Sequence, residues 1–454
     1  MTVAALVVYG VVLAAGCVAI WRRPELALLV FVVGLAFHNV AMDALYGAGV
    51  RGHSLTAIQA WKDIFLAVAF ARVATDAVRA RRLPFRFALP DWLALAFAAL
   101  VVLYALIPQG WLDGTATAKG IAYALRHDLT GVAAYFLGRA VVPDWRRVRW
   151  AALVVAGVVA AWGLIDVYAI SLDWWRHNGT VAYFRDQLDY HYTPALSGLP
   201  ENFIYNPGGE GDVLRRLIST FLSPLAAAYV CGVALLIAPR TRAAIPIAVI
   251  AAAGLLWAYT RAALVAFAAA LALAALVTRN PRYLVAAAAT AVVAIVFAAA
   301  FPHIGPKTEF TRAELAWQRS NARPVPGEAQ VPTSTESHAN NFTDGVRTVV
   351  RHPQGFGLGN AGEIAFRTGT RLRAGESNYT ELGVETGLLG ALLFIAWNVS
   401  LLWTLLRERS VAIAAALAFV LVVALQTDAY GIPWLAYCLW WLAGSALTAP
   451  RRAP

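Results

Sequence analysis

Long apolar runs, each closed by a short polar or arginine-bearing stretch, repeat along the whole chain. Runs of this length are sized for a bilayer, because a hydrocarbon core of about 30 Å takes about 20 helical residues. The pattern predicts helices near 3–20, 25–43, 54–77, 89–107, 119–140, 149–170, 217–238, 244–259, 261–278, 284–301, 379–405, 411–427 and 433–449. The stretch 244–278 is long enough for one helix, but Tyr259-Thr260-Arg261 is a natural break in it. The first run has neither a charged leader nor a small-residue cleavage site, so it reads as a retained span. The expected fold is all-α: a polytopic membrane bundle of about 12–13 helices. Two connections, 171–215 and 302–378, are too long for simple turns, and loops of this length usually carry function. The chain therefore divides into N-terminal helices (1–170), a loop (171–216), central helices (217–301), a large loop (302–378) and C-terminal helices (379–454).

Composition agrees with this reading: 60% of the residues are hydrophobic and 14% charged, against about a quarter charged in an ordinary soluble domain. Soluble multidomain, secreted and disordered classes are excluded. The net charge is +11, and Lys62, Lys119 and Lys307 are the only lysines among 37 basic residues. The arginines are not spread evenly. Arg22 and Arg23, Arg79 to Arg86, Arg146 to Arg149, Arg240 and Arg242, Arg279 and Arg282, Arg407 and Arg409, and Arg451 and Arg452 occupy alternate connections. Basic connections stay cytoplasmic, which puts the two long loops on the outer side. The excess charge thus marks topology, and no basic stretch has the character of a nucleic-acid module. Cys17, Cys231 and Cys438 lie inside apolar runs, with no metal-ligand spacing.

Ionisable residues inside spans are costly and tend to mark function. Lys62 and Asp63 lie about eight residues, hence about 12 Å, below the outer end of the third run. Arg126, His127 and Asp128 sit at similar depth in the fifth, and His38 and Asp43 lie near the outer end of the second. Lys62–Asp63 and Arg126–Asp128 read either as structural ion pairs or as the lining of a polar cavity opening outward. Arg216 and Arg261 stand at the starts of outer-facing runs, with Arg215 beside the first. Guanidinium forms paired hydrogen bonds to phosphate and keeps its charge when partly desolvated, so these suit an oxyanion at the water boundary. A diphosphate on a polyprenyl tail would sit there. A transporter cavity would show the same residues. Trp174, Trp175, Tyr183, Phe184, Tyr190 and Tyr192 in the first loop would suit sugar rings, or serve as interface anchors.

Three segments resemble the O-antigen ligase and polymerase superfamily of bacterial membrane glycosyltransferases. Arg216-Leu217-Ile218-Ser219-Thr220-Phe221-Leu222-Ser223-Pro224 is similar to its Arg-x-x-Gly-Thr-Phe-x-x-Pro segment, with Ser219 in place of glycine. Tyr259-Thr260-Arg261-Ala262-Ala263 resembles its Ser-Arg-Gly-Ala span opening. His352-Pro353-Gln354-Gly355-Phe356-Gly357-Leu358-Gly359 resembles its His-Pro-x-x-Gly-x-Gly-x-Gly run. Glu376-Ser377, followed after nine residues by Gly387-Leu388-Leu389-Gly390, resembles the ligase His-[Asn/Ser/Gln]-x9-Gly-x-x-Gly signature. Glu376 stands where the ligases carry histidine.

The resemblance implies glycosyl transfer on the outer face of the bacterial cytoplasmic (inner) membrane. The donor would be a glycan on a polyprenyl (undecaprenyl) diphosphate, and transfer to a glycan acceptor would be inverting and metal-independent, with no cofactor. Arg216 and Arg261 would hold the diphosphate. Glu376 would deprotonate the acceptor hydroxyl in place of the ligase histidine, or else complement a helix dipole. His338 is a second candidate base. Arg215, Lys62, Asp63, Arg126, Asp128, Arg347 and Ser377 are candidate substrate contacts. The three glycines of the run could cradle a phosphate or simply form turns. With the signature histidine replaced, a polymerase of lipid-linked repeat units is expected, working with membrane lipids and a chain-length regulator. A ligase of finished polymer is one alternative and a lipid-glycan flippase another.

Overall fold

All thirteen apolar runs are helical. In the computed structural model, which describes residues 2–206, 213–321, 334–373 and 376–448, they form α1 (Thr2–Arg22), α2 (Leu26–Gly47), α3 (Trp61–Ala80), α4 (Leu89–Leu106), α5 (Ala118–Ala140), α6 (Trp145–Ala169) and α7 (Pro224–Ile237). Then follow α8 (Ile245–Trp257), α9 (Arg261–Thr278), α10 (Pro281–Ile304), α11 (Asn378–Arg407), α12 (Val411–Val423) and α13 (Pro433–Thr448). The protein is an all-α polytopic membrane bundle, and its only sheet among the described residues is three very short strands.

The count of full spans differs from the expected 12–13. Among the described residues, seven helices are long and apolar enough to cross a bilayer, or eight if the pair His53–Gln59 and α3, bent by 42°, is one span. The shortfall has local causes. α7, α8 and α12 have 14, 13 and 13 residues, and α13 has 16. The run expected to start at 217 turns helical only at Pro224, because the residues before it are used in a folded loop. α5 is a continuous helix of 23 residues, but Arg126-His127-Asp128 interrupt its apolar run.

Two compact units share the chain, and neither is continuous in sequence. One takes Met1–Arg72, Asp144–Ala272 and Asn280–Ala329; the other takes Val73–Pro143, Leu273–Arg279 and Gln330–Pro454. In the first, α6 packs against α2, α7 and α8. The two long connections are joined there: β1 (Ile204–Tyr205), β2 (Val213–Arg215) and β3 (Lys307–Thr308) form one antiparallel sheet. Arg176 pairs with Glu314 at 2.8 Å, and Glu314 also accepts from Ser197 Oγ at 2.6 Å, both acidic and basic groups being nearly inaccessible. Trp175, Tyr183, Phe184 and Phe203 are buried as the core of this cap with Tyr190 and Tyr192 packed against it, so most aromatic residues of the first loop serve packing, whereas Trp174 is exposed. By sequence, Pro207-Gly208-Gly209-Glu210-Gly211 reads as a flexible lead-in to Arg215 and Arg216; it lies outside the described residues.

In the second unit α5 packs along α13 and α4 along α11. Small residues permit the first contact: a Cβ on Gly138 would run into Trp441 O, and one on Gly444 into Tyr135 O. One end is fixed by a buried cluster in which Arg139 Nε donates to Asp91 Oδ1 at 2.9 Å and Tyr135 Oη donates to the same oxygen at 2.6 Å.

Candidate functional site

In the first unit, the arginines are set by backbone turns. Arg215 and Arg216 follow each other in extended backbone, so their side chains diverge. Arg215 is buried and turns to Asp166, with Nη2 at 3.2 Å from Oδ2 and Nη1 donating to Ile170 O at 2.7 Å. Arg216 turns the other way, donating from Nε to Ala258 O at 3.0 Å and from Nη2 to Thr260 Oγ1 at 3.0 Å. These acceptors lie in the break between α8 and α9, from which Arg261 emerges, exposed, as the first residue of α9. The break falls at the residues expected, with Tyr259 in the left-handed region at φ 46°. Ser219 has φ 50° and Leu222 φ 52°. A glycine suits the first of these positions, which accounts for the residue that the related motif carries there; here Ser219 Oγ donates to Val159 O at 2.6 Å.

Neither Arg216 nor Arg261 has a carboxylate partner among the described residues. Burial pushes the Arg216 guanidinium down to about 10, and Arg261 nearby adds to the effect. At neutral pH Arg216 remains a cation. Neighbouring guanidinium groups without a carboxylate partner suit an anion.

The second unit holds a different cluster, around the start of α11. Glu376 is exposed and has φ 77°, left-handed backbone that is rare for a side-chain-bearing residue. Ser377 is buried, and its Oγ donates to Ala424 O at 3.2 Å. Asn378, Glu381 and Glu385 follow at spacings of three and four, hence on one face of the helix. That face lines a small cavity with His127 and Asp128 of α5, Glu363 and Ile364 of the short helix Gly362–Thr368, and Asp428. His127 bridges two carboxylates: Nδ1 lies 2.8 Å from Asp128 Oδ1 and Nε2 3.0 Å from Asp428 Oδ2. Asp428, between α12 and α13, also accepts from Asn378 Nδ2 and from Gly431 N. Burial alone would push its carboxyl up; His127 and the hydrogen bonds outweigh this and hold it below the usual carboxylate range.

The glycine run has a definite task. α11 is broken at Gly387, with φ 73° and ψ 177°. Phe356 N and Gly357 N donate to the carbonyls of Val384 and Glu385 at 2.7 and 3.0 Å, and Leu388 N donates to Pro353 O at 2.9 Å. Gly359 N donates to Glu385 Oε1 at 2.8 Å. The run is docked into the helix break, and the N–H groups of Gly357 and Gly359 are thereby engaged with Glu385.

The remaining candidates have other surroundings. Lys62 lies in the first unit, with Nζ 3.1 Å from His38 Nε2, and Asp63 follows it on α3. Arg126 is exposed on α5, whereas Asp128 beside it is buried against His127, so Asp128 has a histidine where Arg126 was one option. Arg347 is exposed and pairs with Asp344 at 3.1 Å. His338 lies on the helix Ser334–Arg351, and its side chain is outside the described residues. Missed as site residues were His127, Asn378, Glu381, Glu385 and Asp428. The available signal was the Asn-x-x-Glu-x-x-x-Glu spacing at the head of an apolar run.

Residues 246–395 match the family model described as O-antigen ligase, a segment that holds Arg261, the glycine run and the first half of α11. This match supports placing residues 246–395 with the O-antigen ligase and polymerase superfamily. The chain matches no curated protein. The family match indicates membrane glycosyltransferase activity of the O-antigen ligase or polymerase type, with lipid-linked glycans as the general substrate class.

Proposed function

We propose that this protein polymerises repeat units carried on a polyprenyl diphosphate, at the outer face of the bacterial cytoplasmic membrane. The observation that carries the donor assignment is the pair Arg216 and Arg261, two close cations with no carboxylate partner among the described residues. They bind the diphosphate and stabilise the charge that grows on it as the anomeric bond breaks. Held by Ala258 O and Thr260 Oγ1, the Arg216 guanidinium is oriented before the donor arrives, so little reorganisation accompanies the reaction. A carboxylate from the start of α11 takes the proton of the acceptor hydroxyl, which attacks with inversion. The sidedness rests on the arginine-rich connections, and the polymerase reading on Glu376 in the place of the ligase histidine. With arginine supplying the positive charge, the residues call for no metal. A chain-length regulator and an acceptor glycan complete the expected partners.

The test is a reaction of the purified chain with one lipid-linked repeat unit, followed by sizing of the glycan. A ladder of repeats is expected. Transfer of one preformed polymer to a different acceptor, without a ladder, assigns a ligase instead. Movement of lipid-linked glycan across a vesicle membrane with no new glycosidic bond would overturn the enzyme reading in favour of a flippase.

A further inference from the structure

The cavity at the head of α11 contains one carboxylate that the protein leaves for something else. His127 is engaged at both ring nitrogens by Asp128 and Asp428, so neither nitrogen is available to take a proton from a substrate. Asp428 is occupied by His127, Asn378 and Gly431. Glu385 holds the glycine run through Gly359 N. Glu381 is different. It is 8% exposed, lines the cavity, and has no hydrogen-bond donor on its carboxylate among the described residues. Asp128 Oδ2, on the same cavity, is likewise buried without a partner. A buried carboxylate without a donor is costly, and a partner arriving as ligand removes that cost. Its surroundings define the partner. Asp428, Glu385 and Glu363 repel a negative charge there, and the neighbouring His127 is already held between Asp128 and Asp428, so the surroundings disfavour a substrate phosphate. No group of three or more acidic, histidine or cysteine side chains among the described residues is placed to hold a metal ion. A neutral O–H donor fits.

The structure assigns Glu381, rather than Glu376, as the base that receives the proton of the acceptor sugar hydroxyl, with Asp128 Oδ2 as a second acceptor for that sugar. This rests on the glycosyltransferase reading and specifies its acceptor side. The acceptor O–H bond breaks and its proton passes to a Glu381 oxygen. The electron pair freed on the acceptor oxygen forms the bond to the anomeric carbon, and the anomeric C–O bond breaks with its pair leaving on the diphosphate. Glu381 is sheltered from water in the cavity wall, whereas Glu376 is exposed.

The experiment compares the full chain with Glu381→Gln, Glu381→Asp and Glu376→Gln, each purified and supplied with the same lipid-linked repeat unit. Glu381→Gln keeps the shape and removes the basic oxygen. Its kcat is expected to fall by at least about a hundredfold with KM for the lipid-linked repeat changed less than about threefold, the range for loss of a general base. Glu381→Asp should recover part of the rate, and Glu376→Gln should lose less than about tenfold. Wild-type kcat in Glu381→Gln, or a loss confined to KM, overturns the assignment while leaving the glycosyltransferase reading intact. No glycosidic product from the wild-type chain overturns both.

Discussion

Two neighbouring arginines show how one residue step separates structure from chemistry. Arg215 is neutralised by Asp166 in the interior, whereas Arg216 is held only by neutral oxygens beside Arg261. Arg216→Ala and Arg261→Ala should each lower transfer by about 10²–10³, the usual cost of removing a group that stabilises developing charge. Accumulation of both variants in membranes at the wild-type level is the control. Arg215→Ala should act differently. It strands the buried Asp166 carboxylate, and a loss of about 3–5 kcal/mol would show as a lower thermal midpoint and less folded protein. Ser219 supplies a backbone test. At φ 50° a β-branched residue is strained, so Ser219→Val should lower the midpoint, whereas Ser219→Gly relieves the backbone and forfeits only the bond to Val159 O. The two cations were legible in the chain because they stand at the ends of apolar runs, away from the basic connections.

At the scale of the element, α11 is the informative case. Its length and apolar character were readable, and the glycines of its signature were visible as residues. Their use was not, because docking of 353–359 into the break at Gly387 depends on a contact between distant segments. The same holds for the cavity: Asp128, Glu363, Glu381 and Asp428 reach it from four separate stretches, and no local spacing announces such a meeting. Gly387→Ala should damage both at once. Its backbone lies where only glycine is comfortable, and a Cβ there would stand 2.5 Å from Pro353 O. The expected outcome is a lower midpoint together with lost transfer, measured on the purified chain. Asp428 gives a pH test. A carboxylate titrating below its unfolded value of about 3.9 contributes fully above that pH, and the contribution is lost as pH falls through the lower folded value. The difference in thermal midpoint between the wild type and Asp428→Asn should therefore stay constant down to about pH 4 and shrink only below it.

Over the whole molecule, the sequential order of loops and helices proved a poor guide to the compact units, since each unit gathers three separate segments of the chain. Hydropathy sees runs one at a time, so it gave the thirteen helices and not their grouping, nor which of them fall short of a full span. In the first unit the two long connections share a sheet and the Arg176–Glu314 pair. Glu314→Ala leaves a buried guanidinium unmatched and should expose the 171–215 connection to limited proteolysis, while a surface change such as Asp344→Ala should not. The broken helix of the second unit bears on how the protein is made. From Leu388 to Arg407 the segment is about 20 residues, enough by itself to leave an insertion channel for lipid. The two turns before it carry Asn378, Glu381 and Glu385, and the carbonyls of Val384 and Glu385 find their donors on the glycine run instead of in their own helix. Those turns gain nothing from lipid on their own. During biosynthesis the apolar stretch is free to insert at once, while the acidic turns become a stable part of the protein only when 353–359 is already beside them, as it is in a nascent chain that emerges from its N-terminus.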